Sequence, residues 1–180
     1  MSLWSRPKVI ETQRLTLRPP ILSDDESVLE YGSQGETVKY LQWKPLQSLQ
    51  EAQDFVNRAM REWQNLDRTR SWVLELKNPV VTIGALRATA SQEGLEIGFV
   101  VNAKYHRQGY ASEAIRAVVS RARLDGLSRI SAICDAQNYA SQRFLERNCF
   151  KAVRRLRRRL VHPALGAKPR DCILYQYMGS

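Results

Sequence analysis

The sequence is poor in cysteine and histidine: its 180 residues include three cysteines and two histidines. Cys134, Cys149 and Cys172 are odd in number and lack the close spacing of zinc or redox pairs. Neither a disulfide scaffold nor a zinc site is therefore expected. We expect the cysteines to be buried small hydrophobic residues, no metal to be bound, and a reducing cytoplasm to be the location.

Long apolar runs are also absent. Runs such as residues 98–101 are far too short to span a bilayer, so no membrane association is expected. Residues 1–11 contain no apolar h-region, which argues against a signal peptide. No repeat, low-complexity tract or linker rich in proline, glycine or serine divides the chain, which predicts a single domain over residues 1–180.

Positive charge is in excess but is unevenly placed. The formal net charge is +10. The stretch from Arg143 to Arg170, called here the basic segment, holds ten basic residues against one acidic residue, Glu146. A coat for nucleic acid would spread its charge more widely. Nucleic acid is therefore expected only as the context of a substrate.

Hydrophobic periodicity predicts an α+β domain of the α/β type with a mixed sheet. Ser23 with Glu26 and Ser48 with Glu51 have capping-box spacing and predict two helix starts, the first helix running to about Gly32. Further helices are expected over residues 111–126 and 138–148. Strands are expected over residues 14–18, 71–77, 80–87, 94–101, 129–134, 150–161 and 172–178.

A turn of seven residues lies between one of these strands and the next helix: His106-Arg107-Gln108-Gly109-Tyr110-Ala111-Ser112. Such a turn leaves backbone N–H groups unpaired at the positive end of the helix dipole. Gly109 removes a Cβ where a phosphate would approach, Ala111 is small, and Ser112 offers a hydroxyl. These features indicate a pyrophosphate site. The alternative is an ordinary helix start with a glycine in its turn.

Two longer stretches resemble motifs of the GNAT N-acetyltransferase superfamily. Glu96-Ile97-Gly98-Phe99-Val100-Val101, followed by residues 106–114, resembles motif A. Residues 135–141 (Asp-Ala-Gln-Asn-Tyr-Ala-Ser), with residues 145–147 and Phe150, are similar to the second motif.

Three further stretches, residues 11–18, 40–43 and 170–175, are similar to the RimJ/RimL branch, named for acetyltransferases of ribosomal-protein N-termini. The whole resemblance covers about residues 10–178. It implies the GNAT fold, a mixed and mostly antiparallel sheet of about seven strands flanked by helices, and an acetyl-CoA-dependent N-acetyltransferase.

The resemblance also implies how acetyl-CoA would be held. The β-strand with Phe99, Val100 and Val101 would pair with the pantetheine amides, and backbone N–H groups would hold the pyrophosphate. Asn138 would hydrogen-bond the pantetheine arm, and Arg143 is a further candidate for contacting the CoA phosphates. The residues implied in the pyrophosphate contact are His106, Arg107, Gln108, Gly109, Tyr110, Ala111 and Ser112.

For catalysis, the resemblance implies direct transfer to a primary amine without an acyl-enzyme. Glu96 would receive the proton of the amine, directly or through water, and Ser141 would protonate the leaving thiolate. A backbone N–H near Val100 or Val101 would polarise the thioester carbonyl. The alternatives are a solvated carboxylate at Glu96 and a helix-capping hydroxyl at Ser141.

Two positions depart from the superfamily pattern. His106 stands where Gln or Arg is usual, a change we expect to be tolerated because the main chain makes the contact. Cys149 replaces the usual Gly before Phe150, and we expect Asn148 to supply the left-handed turn there.

The acceptor side is less defined. Trp43 is a candidate wall of the acceptor pocket or a core residue. Strand alternation puts Arg155, Arg157 and Arg159 on one face, beside the acceptor entrance that the resemblance implies. This stripe would attract an acidic peptide, a phosphorylated molecule, or rRNA beside a substrate such as a ribosome-associated protein; the alternative is a solvated edge strand.

A protein N-terminus or a small-molecule α-amine is the favoured acceptor. Acetylation of an amino acid or an antibiotic, and a non-catalytic module that binds acyl-CoA or RNA, are the alternatives. The sequence is compatible with a monomer and with a homodimer.

Overall fold

The computed structural model describes residues 9–64 and 68–179. Residues 1–8, which form most of the stretch examined for a signal peptide, lie outside the described residues. The described strands are β1 (Ile10–Glu11), β2 (Leu15–Arg18), β3 (Thr69–Lys77), β4 (Val80–Ser91), β5 (Gly94–Val101), β6 (Ile130–Asp135), β7 (Phe150–Leu160) and β8 (Arg170–Tyr177). The helices are α1 (Asp25–Gly32), α2 (Gly35–Val38), α3 (Leu49–Gln64), α4 (Tyr110–Leu124) and α5 (Tyr139–Arg147). Within the described ranges, no helix is long and apolar enough to cross a membrane.

The strands form one sheet in the order β1-β2-β3-β4-β5-β6-β8-β7. Every neighbouring pair is antiparallel except β5 and β6, which are joined through the crossover helix α4. The predicted mixed and mostly antiparallel sheet is therefore confirmed. Its eighth strand is the two-residue β1, which is too short to leave a periodic signal in the sequence.

Of the two predicted helix caps, the structure confirms the one at Ser48 and contradicts the one at Ser23. Ser48 Oγ accepts the Glu51 N–H at 3.2 Å, as predicted, whereas the Glu51 carboxylate bonds the Gln47 N–H instead of that of Ser48. The expected cap at Ser23 is wrong, because residues 22–24 form a 3-10 turn and α1 begins at Asp25. Asp24 accepts the Ile21 N–H and two hydrogen bonds from Arg18 there, and these bonds define the turn.

The alternation of β5 separates the two sides of the sheet. Leu95 and Ile97 are buried in the main core together with the apolar face of α4. Val100, which points the other way, packs against the smaller core formed by α1 and α3. Glu96 and Gly98 share the side of Val100. We call this the α3 side and the opposite one the α4 side.

Candidate active site

The strands β5 and β6 meet only at their amino ends. Two parallel pairs join them, Leu95 with Ile130 and Glu96 with Ser131. Both strands then continue, to Val101 and Asp135, without further pairing between them. The sheet therefore opens into a wedge whose β5 wall carries unpaired backbone groups. A ligand with amide groups can pair with this edge as an added strand.

The turn predicted to bind pyrophosphate follows the carboxyl end of β5, where the two strands are no longer paired. Among the described residues, none accepts a hydrogen bond from the backbone N–H groups of residues 107–112. The helix α4 begins at Tyr110, and its first turn includes Ala111 and Ser112. Gly109 is the N-cap and offers no side-chain cap, so the orphan N–H groups of a 15-residue helix are free for an anion.

The conformation of the turn explains Gly109 better than clearance alone does. Gly109 has φ +83°, and Arg107 has φ +59°, so two left-handed residues bend the chain within three positions. Among the described residues, a Cβ at Gly109 would meet Nη2 of Arg14, at 3.3 Å, and no other atom within 4 Å. The left-handed backbone, more than a lack of space, therefore favours the glycine.

His106 differs from the expectation for the phosphate loop. Its backbone N–H donates to the Ala103 carbonyl at 3.1 Å and is not available to a ligand. Its ring Nε2 lies 2.8 Å from the Val101 carbonyl, at the end of β5. His106 therefore fixes the turn to the strand, and the free N–H groups begin at Arg107. We call residues 107–112 the phosphate loop.

Glu96 lies on the α3 side, at the point where β5 and β6 separate. Desolvation by the surrounding walls raises the pKa of its carboxyl above the ordinary value, although the guanidiniums of Arg159 and Arg87 lower it. Arg87 is itself paired with Glu62 of α3, Nη2 to Oε1, at 2.9 Å. A carboxylate that is accessible and has a raised pKa can accept a proton from an amine.

Ser141 and Asn138 approach the wedge from the α4 side. The Asn138 side chain accepts the Ser141 N–H at 3.1 Å and so caps α5. Burial raises the pKa of the adjacent Cys134 thiol to about 11, although a hydrogen bond with Ser141 lowers it. On the same helix, Phe144 contacts Phe99 of β5, with 4.6 Å between ring centroids. Helix α5 thus bridges the opening between the strands.

The remaining predicted cofactor residue and the cysteines are placed as follows. Arg143 is exposed on α5. Cys134 and Cys172 are buried as expected, but Cys149 is exposed. The expectation for the helix end is wrong: Cys149 itself has φ +65°, whereas Asn148 has φ −105° and donates its side-chain N–H to the Phe144 carbonyl.

Trp43 belongs to the wall of the α3 side. It is partly buried against the core of α1 and α3, 5.2 Å from Phe55 between ring centroids, in the cluster that also contacts Val100. This position agrees with both interpretations of Trp43, as a wall of the acceptor pocket and as a core residue, because the edge of the core forms the wall here.

A buried polar cluster on the α3 side gave no local signal in the sequence. Asp135 and His162 are each only 1% exposed, and His162 Nε2 lies 3.3 Å from Asp135 Oδ2. Arg170 donates to Asp135 at 2.6 Å, and its bond lowers the Asp135 pKa although burial raises it. The His162 ring edge meets Tyr40. Residues this far apart along the chain are brought together by folding, so spacing could not reveal them.

The predicted stripe of three arginines is wrong in its geometry. The pairing of β7 with β8 shifts between Ala152 and Arg154 and again between Leu156 and Leu160. Arg158 has φ +46°, and its N–H donates to Asp171. These irregularities break the strict alternation that the prediction required.

The three arginines also differ in their surroundings. Arg155 pairs with Asp171 at 3.0 Å, Nη2 to Oδ2. The charge of Arg157 acts on the same carboxylate, whereas that of Arg159 acts on Glu96. Arg159 is therefore the member of the set that faces the candidate base.

The comparison with known families identifies the family to which this chain belongs. Residues 14–151 match the family described as acetyltransferase (GNAT) domain. The chain belongs to the GNAT family. It is an acetyl-CoA-dependent acetyltransferase, as the names of its relatives also indicate. The chain is 31% identical over 141 residues to the uncharacterized N-acetyltransferase YoaA of Bacillus subtilis (strain 168), which covers 76% of this chain and 79% of YoaA.

Solved structures agree with this fold. The self-immunity acetyltransferase MccE of microcin C7, in complex with acetyl-CoA and AMP, superposes with a TM-score of 0.84 at 18% identity, over 97% of this chain and 98% of MccE. The ribosomal L7/L12 α-N-protein acetyltransferase RimL, in complex with coenzyme A, has a TM-score of 0.78 at 19% identity, over 94% of this chain and 97% of RimL. At these identities the likeness concerns the fold.

Proposed function

We propose that the chain transfers the acetyl group of acetyl-CoA directly to an α-amine, of a peptide N-terminus or of a small molecule. The observation that carries this proposal is the wedge between β5 and β6, with free N–H groups at its mouth and Glu96 at its apex. The free N–H groups of the phosphate loop match the oxygens of a diphosphate, and the β5 edge matches the amides of pantetheine.

The two sides of the wedge have different tasks in this proposal. The cofactor enters along the α4 side, between the phosphate loop and Asn138. The amine approaches from the α3 side, past Trp43. Because Glu96 and Ser141 belong to opposite sides, the acceptor and the leaving group are served by different residues and no acyl-enzyme is needed.

The chemistry then needs two proton transfers. Glu96 accepts the proton that the amine loses as its nitrogen bonds to the acetyl carbon, either directly or through one water. The Val101 backbone N–H, which lies on the same edge of β5 as the Leu95 N–H, donates to the carbonyl oxygen, where negative charge develops, whereas the Val100 N–H faces β4. Ser141 donates a proton to the sulfur as the C–S bond breaks.

An α-amine suits this machinery better than a lysine side chain. A lysine amine with a pKa of about 10.4 is neutral only about once in 2,500 at pH 7, which costs roughly 4–5 kcal/mol. An α-amine with a pKa of about 7.7–8 is neutral about a tenth of the time, which costs about 1–1.4 kcal/mol. A single carboxylate is sufficient for the second task.

The test is acetylation of a matched panel of amines, measured by thiol release and by mass spectrometry. The panel pairs peptides having a free N-terminus and no lysine with N-terminally blocked peptides having one lysine, and adds free amino acids and polyamines. We expect α-amines to react about two orders of magnitude faster than lysine amines. Equal rates would contradict the α-amine proposal. CoA binding without transfer to any amine of the panel would show that the acceptor belongs to none of these classes.

A further inference from the structure

The segment before β2 reaches the first turn of α4, far away in the sequence. Three hydrogen bonds join them at the Glu113 carboxylate. Thr12 Oγ1 donates to Oε1 at 2.7 Å, the Arg14 backbone N–H donates to Oε1 at 2.8 Å, and Arg14 Nε donates to Oε2 at 2.7 Å. Burial raises the pKa of Glu113, but these bonds outweigh it and hold the pKa below its usual value. Glu113 is therefore charged and firmly held.

The Arg14 guanidinium lies along the phosphate loop itself. Its Nη1 donates to the Gln108 carbonyl at 3.0 Å, and the guanidinium carbon Cζ lies 4.4 Å from the centroid of the Tyr110 ring. Its Nη2 is the atom nearest to the Cβ position at Gly109. One side chain thus contacts three consecutive positions of the loop. The Arg14 side chain remains 42% exposed, and Nη2 donates to no acceptor within the described ranges.

The charge of Glu113 makes this arrangement necessary. A carboxylate in the first turn of a helix stabilises the helix dipole, but it repels a diphosphate that approaches the same N–H groups. Arg14 neutralises this carboxylate by an ion pair of 2.7 Å. The hydrogen bond from Arg14 to the Gln108 carbonyl also holds this peptide group of the loop in place. The carbonyl oxygen, which carries a partial negative charge, thereby has a hydrogen-bond donor beside the site.

We propose that Arg14 is a positioning residue of the CoA site, which neutralises Glu113, fixes the Gln108 peptide and leaves Nη2 directed at the bound diphosphate. This inference rests on the proposed function, in which the phosphate loop binds the CoA phosphates. It assigns a role in cofactor affinity to a residue of the segment before β2, outside the two stretches that resemble GNAT motifs.

The experiment compares Arg14→Gln with Arg58→Gln, an exposed arginine of α3 whose replacement removes the same charge on the other side of the sheet. We expect Arg14→Gln to weaken CoA binding about tenfold, because a charge-assisted contact is lost and Glu113 is left unpaired. Arg58→Gln should bind CoA as the wild type does. The KM for S-acetylpantetheine, which lacks the diphosphate, should not change in either variant.

A double variant separates positioning from folding. Adding Glu113→Gln to Arg14→Gln removes the uncompensated carboxylate. The double variant should therefore bind CoA severalfold more tightly than Arg14→Gln does. A purely structural role predicts no restoration, a lowered Tm and an equal loss with S-acetylpantetheine. Either that pattern or unchanged CoA binding in Arg14→Gln overturns the inference.

Gly109→Val, measured in parallel, separates this inference from the proposed function. If Gly109→Val loses CoA binding and Arg14→Gln does not, only the role of Arg14 is wrong. If Gly109→Val binds CoA normally, the assignment of the phosphate loop is wrong, and the role of Arg14 with it.

Discussion

The two sides of the wedge are built in different ways. In the proposed function, the cofactor side uses the backbone of six consecutive residues, 107–112, and a helix N-terminus. The acceptor side uses side chains from elements far apart along the chain, among them Trp43, Glu96 and Arg159. Recognition by backbone depends on local conformation, whereas recognition by side chains depends on the whole fold. The first can therefore be predicted from a short stretch of sequence, whereas the second cannot.

The largest effect is expected at Gly109. Gly109→Val puts a β-branched residue into a left-handed conformation beside the free N–H groups. Loss of two or more charge-assisted hydrogen bonds should weaken CoA binding about 1,000-fold, as measured by titration calorimetry. Gly109→Asn is the matched variant, because Asn tolerates the left-handed conformation. If Gly109→Asn keeps most of the CoA affinity, the backbone conformation decides binding. Normal CoA binding by Gly109→Val would contradict the proposal that the backbone of residues 107–112 binds the cofactor.

The next effect is expected at Glu96 and concerns turnover. Glu96→Gln should lower kcat about 100-fold and leave the CoA affinity unchanged, because the residue lies on the acceptor side. Burial raises the Glu96 pKa, and the base acts when it is deprotonated, so the wild-type rate should fall as the pH drops through this pKa. Glu96→Gln should lack that limb and retain the dependence caused by protonation of the amine.

Glu93→Gln, in the exposed turn between β4 and β5, is the control for the loss of one carboxylate. It should leave the pH–rate profile as in the wild type. A Glu96→Gln enzyme with the wild-type kcat and profile would show that Glu96 is a solvated carboxylate and that another base is used.

The smallest effect distinguishes two arginines of the same strand. Arg159 lowers the Glu96 pKa, whereas Arg155 is paired with Asp171. Arg159→Gln should therefore move the acidic limb of the pH–rate profile upward by a few tenths of a unit and raise the KM for acidic acceptors a fewfold. Arg155→Gln should change neither. Equal effects of the two variants would show that the basic segment acts only through its overall surface charge and that Arg159 has no specific effect on Glu96.

Structure that depends on neighbouring residues was predicted best from the sequence. The helix α4, the glycine before it and the strands on both sides follow from residues within one or two turns of each other. The strand β7 was predicted worst, because two register shifts and the left-handed Arg158 break its alternation. Such bulges depend on the partner strand, here on Asp171, and leave no periodic trace. The cluster of Asp135, His162 and Arg170 was missed because only folding brings its members together.

The most direct test of the account is a crystal structure of the chain with acetyl-CoA. We expect diphosphate oxygens about 3 Å from the N–H groups of residues 107–112. We also expect the thioester at the apex of the wedge, with Glu96 on one side of it and Ser141 on the other. A diphosphate bound instead on the arginines of β7, with the phosphate loop empty, would contradict it.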